Sequence, residues 1–245
     1  MQIIANKIAL PERVSQLSRP RLLKLLEEGL ESRAATVMCG RAGTGKSLLA
    51  AEFARQCRRH IAWFKVDGAD DQPAVFFHYL LESIRAHRPR FCEKWEKTFR
   101  LSENENDLRL FAEYFAGELQ EHQGEPMLIV LDDLHQVYDA DWVAPFFSRL
   151  VSLLPRDVHL LICGRSLPPG PLWRLRSKQV LAVVDESVLA FTEDETRQLL
   201  KGDEAGQSVA EVMKDSRGRA ARVDEFAGRS RRFAGLPFTQ KTWLT

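Results

Sequence analysis

Eight residues near the start of the chain, Gly40-Arg41-Ala42-Gly43-Thr44-Gly45-Lys46-Ser47, have the spacing G-x-x-x-x-G-K-[ST] that can cradle a polyphosphate. Glycines at those places let several backbone N–H groups converge on phosphate oxygens at a helix N-terminus, where the helix dipole also favours anions. Lys46 then neutralises charge on the β- and γ-phosphates, Ser47 offers its hydroxyl to Mg²⁺, and Leu48 continues the amide cradle. A bare glycine turn before a helix is the structural alternative. The flanks argue against it, because Ala35 to Cys39 reads as a short strand and Lys46 to Arg58 as a helix, the context this motif requires.

A second group of residues suits the first. Met127 to Leu131 is an apolar run ending in Asp132-Asp133, so a buried strand delivers a carboxylate where a phosphate-bound magnesium needs one. Asp132 is assigned to the metal beside Ser47, and Asp133 to the attacking water as general base or water-positioner. Val158 to Cys163 is another apolar strand, followed by Gly164-Arg165. If it lies between the other two, Arg165 stands near the γ-phosphate, where ligands bind in open α/β sheets. His135 reads more readily as structural than as a phosphate or water contact, and Trp63, Phe76, Phe77, Tyr79 and Trp142 as core.

The elements that must position these groups follow from periodicity. Strand-like runs at Ile61 to Val66, Pro126 to Leu131, Val158 to Cys163 and Val180 to Val184 alternate with helical patterns at Pro73 to Ala86, Asp107 to His122 and Asp141 to Leu154. That alternation predicts parallel strands with crossover helices, and strands this apolar predict burial on both faces. Leu17 to Leu30 is a leading helix entered through Arg19-Pro20-Arg21. Thr192-Glu193-Asp194-Glu195 has capping-box spacing and starts a further helix. Arg88 to Asn106 reads as a surface excursion. After about Lys201 no strand is evident, and the arginines from Ser216 to Arg222 and from Arg229 to Arg232 read as a solvated tail. The expected organisation is a lead-in over 1–30, a phosphate-binding domain over 31–200 and a poorly defined segment over 201–245, a truncated lid or a disordered basic tail.

Bulk properties set limits. The chain has 245 residues, 44% of them hydrophobic and 28% charged, which suits one globular α/β domain with a small appendage. A net charge of +1 gives no electrostatic case for nucleic-acid binding. Four scattered cysteines without metal-ligand spacing predict free thiols. With neither a leader pattern nor an apolar stretch of about 18 residues, the expectation is a cytoplasmic protein away from membranes.

Taken together, Ser18-Arg19-Pro20-Arg21-Leu22-Leu23, Gly40 to Ser47, Ala62-Trp63-Phe64-Lys65-Val66-Asp67, Leu131-Asp132-Asp133-Leu134-His135, Cys163 to Pro168 and Leu189-Ala190-Phe191-Thr192 form a pattern. It resembles the nucleotide-binding module of the MalT-like, LuxR-type transcriptional activators, within the STAND class of P-loop ATPases. The resemblance implies a three-layer P-loop NTPase sandwich of AAA/STAND type, with a central, mostly parallel sheet that carries the additional strand in the order 5-1-4-3-2. It implies ATP/ADP and Mg²⁺ as cofactors, with Lys46, Asp132, Asp133 and Arg165 as the catalytic set, Arg165 sensing the γ-phosphate and Arg19 lying near the adenine. It also implies a switch: ADP in a closed form, exchange for ATP on inducer binding, oligomerisation, and slow hydrolysis that resets it.

This chain departs from the family's length, since relatives run several times longer and their sensor and helix-turn-helix domains have no counterpart here. Direct DNA binding is therefore not expected, whereas self-association or association with full-length relatives is. Gly218-Arg219-Ala220-Ala221 resembles a Gly-Trp-containing lid helix, with arginine where an aromatic would pack. Two other readings stand beside the switch: a truncated, non-hydrolysing module that modulates a full-length relative, and a small-molecule kinase.

Overall fold

A computed structural model describes residues 3–13, 15, 17–93, 104–121, 125–200 and 208–226. In chain order the elements are α1 (Ala5–Ile8), α2 (Pro20–Ser32), β1 (Ala35–Cys39), α3 (Lys46–Gln56), β2 (His60–Lys65), α4 (Pro73–Arg85) and α5 (Glu105–Glu121). There follow β3 (Met127–Asp132), α6 (Val143–Leu153), β4 (Val158–Gly164), α7 (Gly170–Trp173), β5 (Leu181–Val184), α8 (Glu186–Leu189), α9 (Glu193–Leu199) and α10 (Val209–Ser216). A last helix, α11, covers 220–226.

The strands form one five-stranded sheet in the order β2-β3-β4-β1-β5, with every neighbouring pair parallel. This is the expected order 5-1-4-3-2 read from the other edge. Parallel neighbours need crossover connections, which here are helices that cover both faces. Alternation along each strand divides the core. Met127, Ile129 and Leu131 of β3, with Leu160 and Ile162 of β4, face an aromatic layer under α4, α5 and α6. Leu128, Val130, Leu161 and Cys163 face the opposite layer, against Leu22 and Leu26 of α2 and Leu49 and Phe53 of α3.

The aromatic residues expected in the core are there. Phe76 and Phe77 pack on Trp142 at centroid separations of 4.6 and 5.2 Å, and the Trp142 indole N–H donates to the Asp71 carbonyl at 2.7 Å. The four cysteines are free thiols. No helix among the described residues is long and apolar enough to cross a membrane.

Two expectations change. The stretch from Arg88 does not begin as a surface excursion: Arg88, Phe91 and Cys92 are buried, with the Arg88 guanidinium donating to the Glu125 carbonyl at 2.9 Å and Phe91 stacked edge-on against Phe115. Arginine in the pattern hid an anchor whose aliphatic stem packs while its head reaches backbone carbonyls; 94–103 lie outside the described residues. Nor are the residues after Ser216 a solvated tail as far as 226. Ser208 caps α10 with a capping box, and Val212 and Val223 are buried with Phe191, Leu199 and Leu200 in a third, small core. Arg229 to Arg232 lie outside the described residues.

Candidate nucleotide site

The phosphate-binding loop leaves β1 beside the tip of β4, where the Gly40 N–H donates to the Gly164 carbonyl at 3.2 Å. Gly43 and Gly45 have φ of 80° and 87°, a left-handed backbone that side-chain-bearing residues rarely adopt. Space excludes a side chain as well: a Cβ on Gly43 would lie 2.8 Å from the Ala221 Cβ, and one on Gly45 would lie 3.0 Å from Arg19 Nη2. Lys46, the first residue of α3, is buried and donates to the carbonyls of Gly40 and Arg41 at 2.6 and 3.1 Å and to Thr44 Oγ1 at 3.2 Å. Burial holds its ammonium below the usual lysine range. The loop thus satisfies its own cation while keeping it beside the amides that precede α3.

Asp132 ends β3 with its side chain buried, and Ser47 Oγ donates to its Oδ1 at 2.8 Å. Burial first, and repulsion from Asp133 second, push its carboxyl up to about 6, against the opposing hydrogen bond from Ser47. A hydroxyl and a carboxylate side by side are hard oxygen donors of the kind Mg²⁺ takes, with phosphates and waters filling the remaining positions. Among the described residues no cluster of three or more His, Cys, Asp or Glu side chains forms an all-protein metal cage.

Asp133 has φ of 60°, so the chain turns sharply at the strand end and sends two successive carboxylates in different directions. His135 lies 3.7 Å from Asp133 Oδ1, and burial lowers its basicity. β4 lies between β3 and β1, as the placement of Arg165 required. A cleft of about 230 Å³ is lined by Ala42, Gly43, Gly45, Lys46, Ser47, Leu48, Asp133 and Arg165, so four of the side chains expected at the phosphates meet around one opening, while Asp132 is not in its lining and joins it through its hydrogen bond with Ser47.

Arg41 belongs to the motif but turns away from that cleft. Its Nε donates to Glu186 Oε1 at 2.7 Å and its backbone N–H to Glu186 Oε2 at 3.0 Å. Glu186 begins α8, so a carboxylate from the end of β5 pins the second residue of the loop. A glutamate 145 positions away has no signature that ties it to a glycine motif, and sequence reading missed it.

A second cavity, of about 340 Å³, shares Gly43, Gly45 and Leu48 with the first and is walled by Arg13, Leu17, Arg19, Phe191, Ala221 and Asp224, among others. Arg19 is 4% exposed, donates to the Leu189 carbonyl at 2.8 Å and lies over the Phe191 ring at 4.8 Å. Arg21 donates to the carbonyls of Val188 and Ala190 at 2.8 and 3.1 Å. The entry to α2 therefore clamps the backbone before α9, whose Thr192–Glu195 capping box forms as its spacing predicted. The segment with the resemblance to a lid helix closes the third side: Ala221 N–H donates to the Gly43 carbonyl at 2.8 Å, and Phe191 N–H to the Gly218 carbonyl at 2.7 Å. Of these wall residues Arg19, Phe191 and Ala221 stood in segments that carry the family resemblance, whereas Arg13 and Asp224 carried no sequence signal.

A glycine loop between β1 and α3, an acidic pair at the tip of β3, one strand removed from β1 across β4, and a five-stranded parallel sheet define a P-loop NTPase. The model of the AAA ATPase domain matches residues 10–163, more than half of the chain, and the chain belongs to that family. More narrowly it is a MalT-like NTPase module. It is 28% identical over 194 residues to the HTH-type transcriptional regulator MalT of Vibrio cholerae serotype O1, an alignment covering 79% of this chain and 21% of that protein. To the MalT of Serratia proteamaculans it is 29% identical over 197 residues, 80% of this chain and 21% of the relative. The chain thus spans about a fifth of the length of these relatives. Among solved structures, the Orc1 protein of Aeropyrum pernix in complex with DNA shares the fold at 17% identity and a TM-score of 0.50, covering 92% of this chain and 63% of that one.

Proposed function

We propose that this chain binds a magnesium–adenine nucleotide over Gly40 to Leu48 and hydrolyses ATP slowly, the difference between its ATP and ADP forms being its output. What supports the reading most is convergence: a lysine and a hydroxyl at the start of α3, a carboxylate after β3 and an arginine after β4 line one cleft, and a second carboxylate, Asp132, is hydrogen-bonded to that hydroxyl. The amides from Gly43 to Leu48 receive phosphate oxygens at the positive end of α3. Lys46 exchanges its carbonyl partners for phosphate oxygens. Ser47 and Asp132 hold Mg²⁺, which when bound neutralises charge shared by the β- and γ-phosphates. Asp133 orients the attacking water and accepts its proton, and Arg165 offsets charge on the γ-phosphate and distinguishes ATP from ADP. Where an arginine finger is supplied from outside, it accounts for about 10³ to 10⁵ in rate, so this chain alone turns over slowly. The relatives' name as transcriptional regulators supports placing the switch in signal-responsive transcription, acting through self-association or longer relatives rather than through direct DNA contact.

The test is the affinity of the purified chain for ATP and ADP with Mg²⁺, beside Lys46→Ala, with phosphate release recorded in the same samples. Tight binding lost in the variant, with slow release, supports the switch. Binding without release turns the reading toward a non-hydrolysing interaction module, and a folded chain that binds no nucleotide overturns the reading altogether.

A further inference from the structure

The lid helix meets the P-loop in a fixed register. Ala220 and Ala221 lie over Gly45 and Gly43, at 3.4 and 2.8 Å from the positions a Cβ would take there, and the Ala221 N–H donates to Gly43. One helical turn, about 5.4 Å, beyond Ala220 on the same face is Asp224. Its side chain is half-buried and lines the cavity that opens from the phosphate cleft at Gly43, Gly45 and Leu48. Among the described residues the Asp224 carboxylate has neither a hydrogen-bond nor an ion-pair partner.

The other polar groups of that cavity are committed or cationic. Ser15 donates its hydroxyl proton to the Leu17 carbonyl at 2.7 Å, Arg19 is held by Leu189 and Phe191, and Arg13 is exposed at the rim. An ionised carboxylate can only accept hydrogen bonds, and it repels phosphate. In a cavity next to a phosphate site it suits the part of a nucleotide that carries N–H and O–H donors, which is the nucleoside.

Resting on the adenine-nucleotide reading above, we propose that Asp224 accepts a hydrogen bond from a nucleoside donor, either a sugar hydroxyl or the exocyclic amine of the base. It is then the residue by which the lid selects a nucleotide over a bare polyphosphate. The lid helix becomes part of the binding site rather than only its cover.

The experiment compares wild type, Asp224→Ala and Asp224→Asn for binding of ATP, inorganic tripolyphosphate, 2′,3′-dideoxy-ATP and purine riboside triphosphate, which lacks the exocyclic amine. Asp224→Ala is expected to weaken ATP about tenfold, the usual worth of a hydrogen bond to a charged group, and to leave tripolyphosphate unchanged. Asp224→Asn, which keeps one acceptor oxygen, falls between. If the donor is a sugar hydroxyl, the dideoxy analogue binds wild type and Asp224→Ala alike; if it is the amine, purine riboside triphosphate does. Equal changes for ATP and tripolyphosphate, or no change for either, overturn the proposal. Lys46→Ala in the same series must weaken tripolyphosphate; if it does not, the phosphate assignment has failed and the place of the nucleoside fails with it.

Discussion

At the phosphate end of the cleft, the chemistry lies in nine consecutive residues and at the tips of two strands adjacent in the sheet, Asp132–Asp133 on β3 and Arg165 beyond β4. At the end proposed for the nucleoside the walls come from Arg13, Ser15, Leu17 and Arg19, from Phe191 and Leu199, and from Ala220, Ala221 and Asp224, three stretches that meet only through tertiary packing. The first end is held by a sheet whose central strands are buried on both faces; the second is held by a few backbone hydrogen bonds, two arginine clamps and a core of five buried residues. Local stability follows buried apolar contact. On the reading proposed above, a nucleotide bridging the two ends would have its better-packed partner in the P-loop and its less packed one in 208–226, the asymmetry a ligand-driven switch requires.

The largest expected effect tests whether the rigid end dominates affinity. Lys46→Ala removes a buried ammonium and at least two charge-assisted contacts to phosphate, so the Kd for Mg–ATP should rise by more than about a hundredfold, on the order of 3 kcal/mol. Circular dichroism should be unchanged, since the groups Lys46 now holds are loop carbonyls that water can serve. A smaller loss than that from breaking the lid would reverse the comparison.

Acid should separate the two ends in another way. His159 lies in β4 far from the cleft, with Nδ1 3.1 Å from the Arg33 carbonyl and Nε2 3.0 Å from Thr36 Oγ1. The carbonyl needs a donor, so Nδ1 carries the proton and Nε2 accepts from the threonine. Burial pushes this imidazole from 6.5 down to about 4. Between those values the unfolded chain binds the proton and the folded chain does not, so the stabilisation is complete above pH 6.5 and is lost as pH falls toward 4. The loss should be about 3 kcal/mol, read from urea unfolding at a series of pH values. His159→Gln should flatten that profile, and a profile unchanged by the substitution would remove the assignment.

The lid should respond to a change that the sheet does not feel. Val223 is fully buried among Phe191, Leu199, Leu200 and Val212. Val223→Ala leaves a small cavity and should weaken docking of 208–226 by about 2 kcal/mol. Hydrogen exchange should accelerate in α10 and α11 while β1, β3 and β4 keep their protection. Equal acceleration throughout would mean that lid and sheet unfold as one unit.

The same contrast explains what was legible in the sequence. Gly40 to Ser47, Asp132 and Asp133 were legible because phosphate chemistry imposes residue types at fixed spacing, and the strand order agreed with the family pattern because five apolar runs between helical periods leave few topologies. Phe191 and Ala221 stood in segments that carry the family resemblance, but Asp224 was not legible, nor was the meeting of all three around one cavity, because a wall assembled from distant segments imposes only shape and polarity, which many residues satisfy. Arg88 misled because charge reads as surface, yet a guanidinium at the end of an aliphatic stem can be buried when backbone carbonyls receive it; after Ser216, Arg217 and Arg222 are exposed as charge suggests, and what they hid was the buried Val223 of α11. Arg41 was assigned by motif membership, although only the backbone of that position is constrained by the loop.

That position supplies the smallest effect and the finest test of where the rigid end stops. Arg41 and Glu186 join the outer rim of the P-loop to α8 by a bidentate pair, with the Glu186 carboxylate held below its usual range by the Arg41 guanidinium. Both side chains are substantially exposed, 68% and 36%, and solvent screens such a pair so that it contributes little to stability. The backbone N–H of Arg41 is different, because Glu186 serves it whatever side chain stands at 41. Arg41→Ala should therefore change nucleotide Kd less than about threefold, and Glu186→Ala, which also strips the backbone contact, up to about fivefold, within the ~1 kcal/mol expected of one such hydrogen bond. In a double-mutant cycle the coupling should shrink in high salt, as screening of an exposed pair requires. Equal effects from the two single substitutions would mean that the guanidinium, rather than the carboxylate on the backbone, keeps the rim of the loop in place.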